Sequence, residues 1–196
     1  MTALIDDRTQ NLLFREARTA NGFQARPVPD SLLREIYDLA RMGPTSMNTQ
    51  PMRVVFVNSE AGKARLIACV SPGNVEKVRQ APVTAIVAMD TRFYEEMDSI
   101  WHNPGAGKGF ADNPGLARST AERNSSLQGA YLLIAARAFG LDCGPMSGFD
   151  HDKLNAEFFP DGRLRANLLI TLGYGDPAKV FGRNRRFEFD EVCSFA

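Results

Sequence analysis

Three short runs rich in Val, Ile and Leu constrain the fold of this chain more than any other feature. They span Arg53 to Asn58, Pro82 to Met89 and Ala166 to Leu172, and their length and composition predict buried strands. Helical patterns lie between them, so the order of elements predicts an α+β fold in which helices cover a sheet. The sequence leaves the pairing order of the strands open.

Four segments carry the signals of helices. The first is a polar stretch from Arg8 to Ala20, and the second begins at Asp30 and is stopped by Gly43-Pro44. The third covers Glu60 to Val70, and the fourth covers Leu116 to Phe139. The apolar positions in the second half of the fourth helix are Leu127, Ala130, Tyr131, Ile134, Ala135 and Ala138. Our hypothesis is that neighbours bury this half all round, with a second subunit among them.

We interpret residues 1–196 as a single domain, because 196 residues suit one hydrophobic core. Apolar residues make up 44% of the chain, which is typical of a globular protein. Two segments stand apart from the predicted core. The Gly- and Pro-rich excursion 98–115 has the length of a surface lid, and the C-terminal segment 178–196 is basic.

Charge and cysteine content exclude several classes of function. Lys plus Arg and Asp plus Glu number 23 each, so we expect no nucleic-acid or membrane partner. With no long apolar run, we expect a cytoplasmic protein. Cys69, Cys143 and Cys193 are widely separated, which indicates free thiols and no metal site.

Other familiar motifs fail on their context. Gly173-Tyr174-Gly175-Asp176-Pro177-Ala178 matches a loose dinucleotide fingerprint, yet only eighteen residues follow it, too few for the rest of a βαβ unit. His102 and His151 stand alone, outside any metal-spaced cluster or nucleophile motif. These features argue against a Rossmann dehydrogenase, a zinc enzyme and a Ser-His-Asp hydrolase.

The segment from Gly43 to Met52 is unusual because it gathers small polar side chains between a helix end and a strand. Two prolines, Pro44 and Pro51, restrict its backbone. Taken alone, its residues leave two interpretations open. The segment is either a binding loop or an elaborate turn whose polar side chains cap their own backbone.

This segment resembles a signature of the nitroreductase superfamily of flavoproteins. Pro44-Thr45-Ser46-Met47-Asn48-Thr49-Gln50-Pro51 is similar to the Pro-Ser-x-x-Asn-x-Gln-Pro loop with which one subunit of those proteins contacts flavin mononucleotide (FMN). The resemblance implies that Pro44, Thr45, Ser46, Asn48 and Gln50 bind FMN. Met52 occupies the position after Gln-Pro, where members of that family often have an aromatic residue.

Three further segments resemble the same family. The resemblance implies that Arg18, Thr19 and Asn21 hold the ribityl phosphate. The corresponding family segment, Arg-x-Ser-x-Arg-Phe, has a central Ser and a second Arg that this chain lacks. It implies that Asn74 and Lys77 address the pyrimidine edge of the flavin. By the same resemblance, the other FMN-binding residues are Pro145, Met146, Ser147 and Gly148 near flavin N5, and Arg183 and Arg186 on the phosphate.

The resemblance implies a nitroreductase-like fold with a central, mainly antiparallel sheet, and an intertwined homodimer with flavin sites between the subunits. It implies an NAD(P)H-dependent FMN oxidoreductase in which hydride passes by a ping-pong scheme through flavin N5 to a small acceptor. NADH and NADPH both remain open as reductant. Three motifs resemble a subgroup that includes malonic semialdehyde reductases, namely Asn21-Gly22-Phe23, Arg123-Asn124-Ser125-Ser126 and Gly144-Pro145-Met146-Ser147-Gly148-Phe149-Asp150. This resemblance suggests reduction of that aldehyde to 3-hydroxypropanoate. The alternatives are a broad nitroaromatic or quinone reductase and a flavin-binding sensor without turnover.

Overall fold

A four-stranded antiparallel sheet forms the centre of the computed structural model, which describes residues 4–196. Its strands are β1 (Met52–Val57), β2 (Val83–Asp90), β3 (Asp142–Met146) and β4 (Leu164–Gly173). They lie in the order β1-β2-β4-β3, so β1 and β3 are the two edges. The antiparallel α+β architecture is confirmed, and β1, β2 and β4 match the three predicted strands to within a residue or two.

Helices surround this sheet on both faces. They are α1 (Asp7–Gln10), α2 (Asp30–Ala40), α3 (Glu60–Ile67), α4 (Pro72–Gln80), α5 (Met97–Ile100), α6 (Lys108–Ala111), α7 (Pro114–Ala138), α8 (His151–Phe158) and α9 (Phe189–Val192). A π-helical turn at Asn11–Arg15 continues α1, and short 3-10 turns occur at Ser46–Asn48, Phe93–Glu96 and Pro177–Lys179. Among the described residues, no helix is both long enough and apolar enough to span a membrane.

Alternate residues of the strands point to two separate hydrophobic clusters. Val87 of β2 packs with Ile36 of α2 and Leu132 of α7 on one face. Ile86, the preceding residue, packs with Leu66 of α3 and other apolar side chains on the opposite face. The period of two expected of a strand with both faces covered therefore fixes which helices lie on each side.

The first predicted helix is too long. Helical structure ends at Arg15, and the following residues extend alongside β3, where the Ala20 N–H donates to the Cys143 carbonyl at 3.0 Å. Pairing with the free edge of β3 satisfies backbone groups that a longer helix would satisfy internally. The third predicted helix is also too long, since α3 ends at Ile67 and a separate helix, α4, begins at Pro72.

The long helix α7 matches the fourth predicted helix to within two residues, and its buried face in the single chain also contains polar side chains. Leu127 and Ala130 are exposed in the single chain, whereas Asn124 and Gln128 are buried. The polar side chains are buried because they form hydrogen bonds with the loop before β1, described below. Apolar periodicity alone could not detect a buried face built from amides.

The excursion that we predicted to be an irregular surface lid contains helices α5 and α6 and has its own small core. Phe93 and Phe110 meet edge to face with ring centroids 5.1 Å apart, and both side chains are buried. Met97 and residues of α7 complete this cluster. Most residues of 98–115 are nevertheless exposed, and the segment packs onto α7 through Phe110.

Candidate active site

Residues from the two ends of the chain line one cavity of about 310 Å³. Arg18, Thr19 and Asn21 approach from the N-terminal side, and Arg183 and Arg186 approach from the C-terminal segment. All five residues were predicted to hold the flavin phosphate, and the fold brings them together although about 160 residues separate the two groups.

Hydrogen bonds to the end of the first helical stretch hold two of these guanidinium groups. Arg183 Nη2 donates to the carbonyl oxygens of Phe14 and Ala17, each at 3.0 Å. Arg18 Nη1 donates to the carbonyl oxygens of Arg15 and Ala17 at 3.1 and 3.0 Å. Both groups therefore satisfy carbonyls left without partners where the helix ends. Both residues also line the cavity.

The guanidinium groups crowd one another. Partial desolvation lowers the pKa of Arg183, and the positive charges of Arg18, Arg186 and Arg137 lower it further. A bound anion would relieve this repulsion and would accept charge-assisted hydrogen bonds from several donors. The cavity therefore has the chemistry of a phosphate or carboxylate site.

A second part of the site is the contact between helix α4 and the turn after β3. Asn74 Nδ2 donates to the Gly148 carbonyl at 2.9 Å, and the Ser71 N–H donates to the same oxygen at 3.0 Å. A Cβ atom on Gly148 would lie 2.6 Å from Asn74 Nδ2, so glycine is required for this approach. Lys77 follows Asn74 by nearly one helical turn and is half-buried.

Part of the segment predicted as a flavin-contacting loop is a strand. Pro145 and Met146 are the last residues of β3, and only Ser147 and Gly148 belong to the turn that follows. The prediction of a loop from Gly144 onward is wrong because pairing with β4 extends the edge strand through a proline.

The signature loop is held by polar side chains of α7. The Ser46 N–H donates to Asn124 Oδ1 at 2.8 Å, and the Met52 N–H donates to Gln128 Oε1 at 3.0 Å. Tyr131 Oη donates to the Pro44 carbonyl at 3.1 Å. Self-capping also occurs, since the loop's own Thr45 hydroxyl accepts a hydrogen bond from a backbone N–H. The loop is thus anchored along about two turns of α7, which a self-capping turn would not need.

Three residues of this loop have a backbone that disfavours ordinary side chains. Met47, Asn48 and Gln50 have φ angles of 48°, 53° and 39°. Each such residue costs on the order of 1–3 kcal/mol unless its surroundings enforce it. Here Asn48 Nδ2 donates to the Ile100 carbonyl at 2.7 Å, and Gln50 Nε2 donates to Asn48 Oδ1 at 3.0 Å. Backbone strain of this kind is concentrated at functional sites.

The signature loop lies far from the other predicted flavin residues within one chain. It leads into β1 at one edge of the sheet, whereas Thr19 pairs with Cys143 of β3 at the opposite edge. The two edges are three strand spacings apart, roughly 14 Å. Arg18, Asn74 and Gly148 are therefore gathered on the β3 side without Pro44, Ser46 or Gln50.

The sequence profile of the nitroreductase family matches residues 15–174, which is most of the chain. The chain belongs to the nitroreductase family. A relative from Polynucleobacter asymbioticus, provisionally named NADH dehydrogenase/NAD(P)H nitroreductase, is 51% identical over 193 residues and 98% of each chain is covered. A protein from Ralstonia pickettii with the same provisional name and the designation HadB is 50% identical and fully covered on both sides.

Solved structures of nitroreductases have the same fold as this chain. A protein from Exiguobacterium sibiricum, provisionally described as a nitroreductase and solved in complex with FMN, superposes with a TM-score of 0.87 at 20% identity, and both chains are fully covered. A Bacillus subtilis protein of similar description gives a TM-score of 0.84 at 24% identity, with 94% of this chain and 97% of that chain covered.

Sequence analysis of this nitroreductase-family chain missed Arg137. This residue lies in the last turn of α7, lines the same cavity as Arg18 and Arg183, and donates from Nη1 to the Leu13 carbonyl at 2.8 Å. A basic residue in the last turn of a helix is common because it complements the helix dipole, so its position in the sequence does not indicate a further role. It raises the number of guanidinium groups at this cavity to four.

Proposed function

We propose that this protein is an FMN-dependent NAD(P)H oxidoreductase that reduces a small acceptor. The cavity formed by Arg18, Arg137, Arg183 and Arg186 is the observation that carries this proposal. The names of the relatives and the FMN complex of a structural neighbour support it. When bound, FMN supplies the hydride chemistry, and the protein supplies position and electrostatics.

The residues of the arginine cavity fit the phosphate end of FMN. A phosphate carries up to two negative charges, and the mutual repulsion that lowers the pKa of Arg183 would be relieved by such a dianion. The Thr19 hydroxyl and the Asn21 amide line the same cavity and can hydrogen-bond the ribityl chain.

The residues around Gly148 fit the polar edge of the flavin ring. Pro145 and Met146 end the edge strand β3, Ser147 and Gly148 form the turn after it, and Lys77 lies on the neighbouring helix α4. A cation at the pyrimidine edge stabilises the negative charge that develops there on reduction. Asn74 holds the turn in place through Gly148, so its role in this proposal includes positioning.

The proposed site is completed by a second copy of the chain. The strained loop from Pro44 to Gln50 lies on the opposite edge of the sheet from Arg18 and Asn74, and we propose that it reaches the flavin held by the partner. This arrangement makes the protein a homodimer with two equivalent sites.

The C-terminal segment is suited to intertwining the two copies. Every residue of 177–196 is exposed in the single chain, including Phe181, Phe187, Phe189 and Phe195. A groove of about 740 Å³ lies between α2 and the unpaired edge of β1, lined partly by Leu33, Tyr37, Val54 and Phe56. We propose that this segment of one copy covers the groove of the other, which would bury both apolar surfaces.

Two acceptor classes fit this site. We propose a small aldehyde acid, malonic semialdehyde, on the basis of the subgroup motifs, with 3-hydroxypropanoate as the product. The relatives' names favour the second candidate, a nitroaromatic or quinone reductase. A sensor without turnover would have no need for the strained loop and the packed lid beside it.

An anaerobic half-reaction experiment tests the proposal. Protein purified with FMN should be yellow, should bleach when NADH or NADPH is added, and should regain its colour with an acceptor. Steady-state rates with malonic semialdehyde, a nitroaromatic and a quinone then rank the acceptors. A colourless protein that binds no added FMN would contradict the function, and a bleached protein that no acceptor reoxidises would favour the sensor. Light scattering should give twice the chain mass of 21.6 kDa.

A further inference from the structure

Two adjoining cavities near the lid share the residues Met89, Arg118 and Arg165. The smaller cavity measures about 180 Å³ and the larger about 450 Å³. Arg118 lies in the second turn of α7, and Arg165 lies near the start of β4. The two guanidinium-bearing residues therefore face the same space from different elements.

Two carboxylates at this end of the sheet, Asp90 and Glu95, are already paired with other arginines. The buried Asp90 accepts hydrogen bonds from Arg53 and Arg163, each with a contact of 3.0 Å. Glu95 lies 3.2 Å from Arg163 and 3.8 Å from Arg92.

Arg118 and Arg165, in contrast, have no side-chain hydrogen bond or ion pair with any residue in the range 4–196. Two cations therefore face a shared space, and Asp90 and Glu95 are held by other arginines. An anion that entered this space would find unused donors.

The smaller cavity is the one suited to an anion. No carboxylate lines it, whereas Glu122 and Asp152 line the larger cavity and offset its positive charge. Thr91 and Tyr94 contribute hydroxyl groups to its walls. The rest of the wall is apolar and consists of Met89, Pro114, Ala117 and Ala121. At roughly 30 Å³ for each water in the liquid, the space holds about six waters and thus a molecule of a few heavy atoms.

This cavity lies next to the signature loop of the same chain. Met89, which lines it, is the direct cross-strand partner of Met52, the residue that follows the loop. The loop residue Asn48 is hydrogen-bonded to Ile100, which follows the cavity-lining Tyr94 by six residues. An acid held here would therefore lie beside the loop that we propose to contact the flavin.

We infer that Arg118 and Arg165 form an anion subsite that holds the carboxylate of a small acidic acceptor. The hydroxyls of Thr91 and Tyr94 would supply further polar contacts, and the buried walls of Ala117 and Ala121 would exclude larger molecules. This inference rests on the proposed function and narrows it, because it selects aldehyde or keto acids over neutral acceptors.

Calorimetric titration of the FMN-loaded dimer with 3-hydroxypropanoate tests the subsite without turnover. Arg118→Gln and Arg165→Gln should each weaken binding by about tenfold or more, because each removes a charge-assisted contact. Arg92→Gln is the matched control, since it removes one positive charge at the same end of the sheet from a residue that lines neither cavity. It should leave the affinity unchanged.

Kinetics give the second readout. Both arginine variants should raise KM for malonic semialdehyde by about tenfold and leave KM for a neutral quinone unchanged. The proposed subsite would be contradicted by any of three results. These are no binding of 3-hydroxypropanoate to the wild-type protein, unchanged binding in both variants, or an equal loss of affinity in Arg92→Gln. Each of these results can occur while NAD(P)H still bleaches the flavin, so failure of the subsite is distinct from failure of the proposed function.

Discussion

Gln128 Oε1 accepts a hydrogen bond from the backbone N–H of Met52 at 3.0 Å, and this bond joins residues 76 positions apart in a buried environment. It ties the middle of α7 to the point where the signature loop becomes β1. With the bond from Ser46 to Asn124, it explains why the buried face of α7 is polar. The amides on α7 satisfy backbone donors of a loop that cannot satisfy them by itself.

Replacing Gln128 with Leu should destabilise the protein by roughly 1–3 kcal/mol, because the buried Met52 N–H would lose its acceptor. Urea unfolding at matched protein concentration measures the change in the free energy of unfolding. Arg123→Leu is the control, since Arg123 is an exposed residue of the same helix, and its effect should stay within about 0.5 kcal/mol. Equal stability of the two variants would show that the Gln128 bond contributes nothing.

A second prediction concerns the contact between α4 and the turn after β3. Gly148→Ala would place a Cβ atom 2.6 Å from Asn74 Nδ2, so the Asn74 amide must shift and its bond to the Gly148 carbonyl is disturbed. We expect FMN affinity to fall by about tenfold while the fold is retained, because a small displacement of positioning residues is costly. Fluorescence titration of apoprotein with FMN measures the affinity. Gly109→Ala, where the added Cβ meets nothing within 4 Å, should bind FMN normally.

The sequence predicted the strands whose apolar runs are long and continuous, and it missed the strand that depends on a partner. β3 contains Gly144 and Pro145, residues that normally argue against a strand. It forms because β4 pairs with one side, and its edge position tolerates a proline. Because β3 depends on this tertiary contact, the local strand propensity of its residues does not predict it.

The same limit applies to the candidate site. Motif resemblance identified Arg18 and Arg183, because each lies in a recognisable segment. It could not identify Arg137 or Arg118, which occupy ordinary positions on a long helix and acquire their surroundings only when the chain folds. Which of these arginines contact a ligand stays a prediction until binding is measured.

A third prediction follows from the position of Arg137 beside the proposed phosphate. Arg137→Gln should weaken FMN binding by about tenfold or more and leave riboflavin binding unchanged, because riboflavin lacks the phosphate. Arg137→Lys keeps the charge and should recover part of the loss. If Arg137→Gln weakened the binding of FMN and of riboflavin equally, Arg137 would instead have a structural role through its bond to the Leu13 carbonyl.

Alkaline pH should destabilise the protein through Cys143. Burial raises the pKa of this thiol from its usual value of 9.0 to about 12, so the folded state keeps the proton that the unfolded state loses. The stabilisation is complete below pH 9 and is lost as pH rises toward about 12. Melting temperatures measured from pH 7 to pH 10.5 should therefore fall more steeply for wild-type protein than for Cys143→Ala, which has no thiol at this position. Cys193→Ala, at an exposed position, is the control and should follow the wild-type slope. Parallel slopes for wild type and Cys143→Ala would mean that the buried thiol does not contribute to the pH dependence.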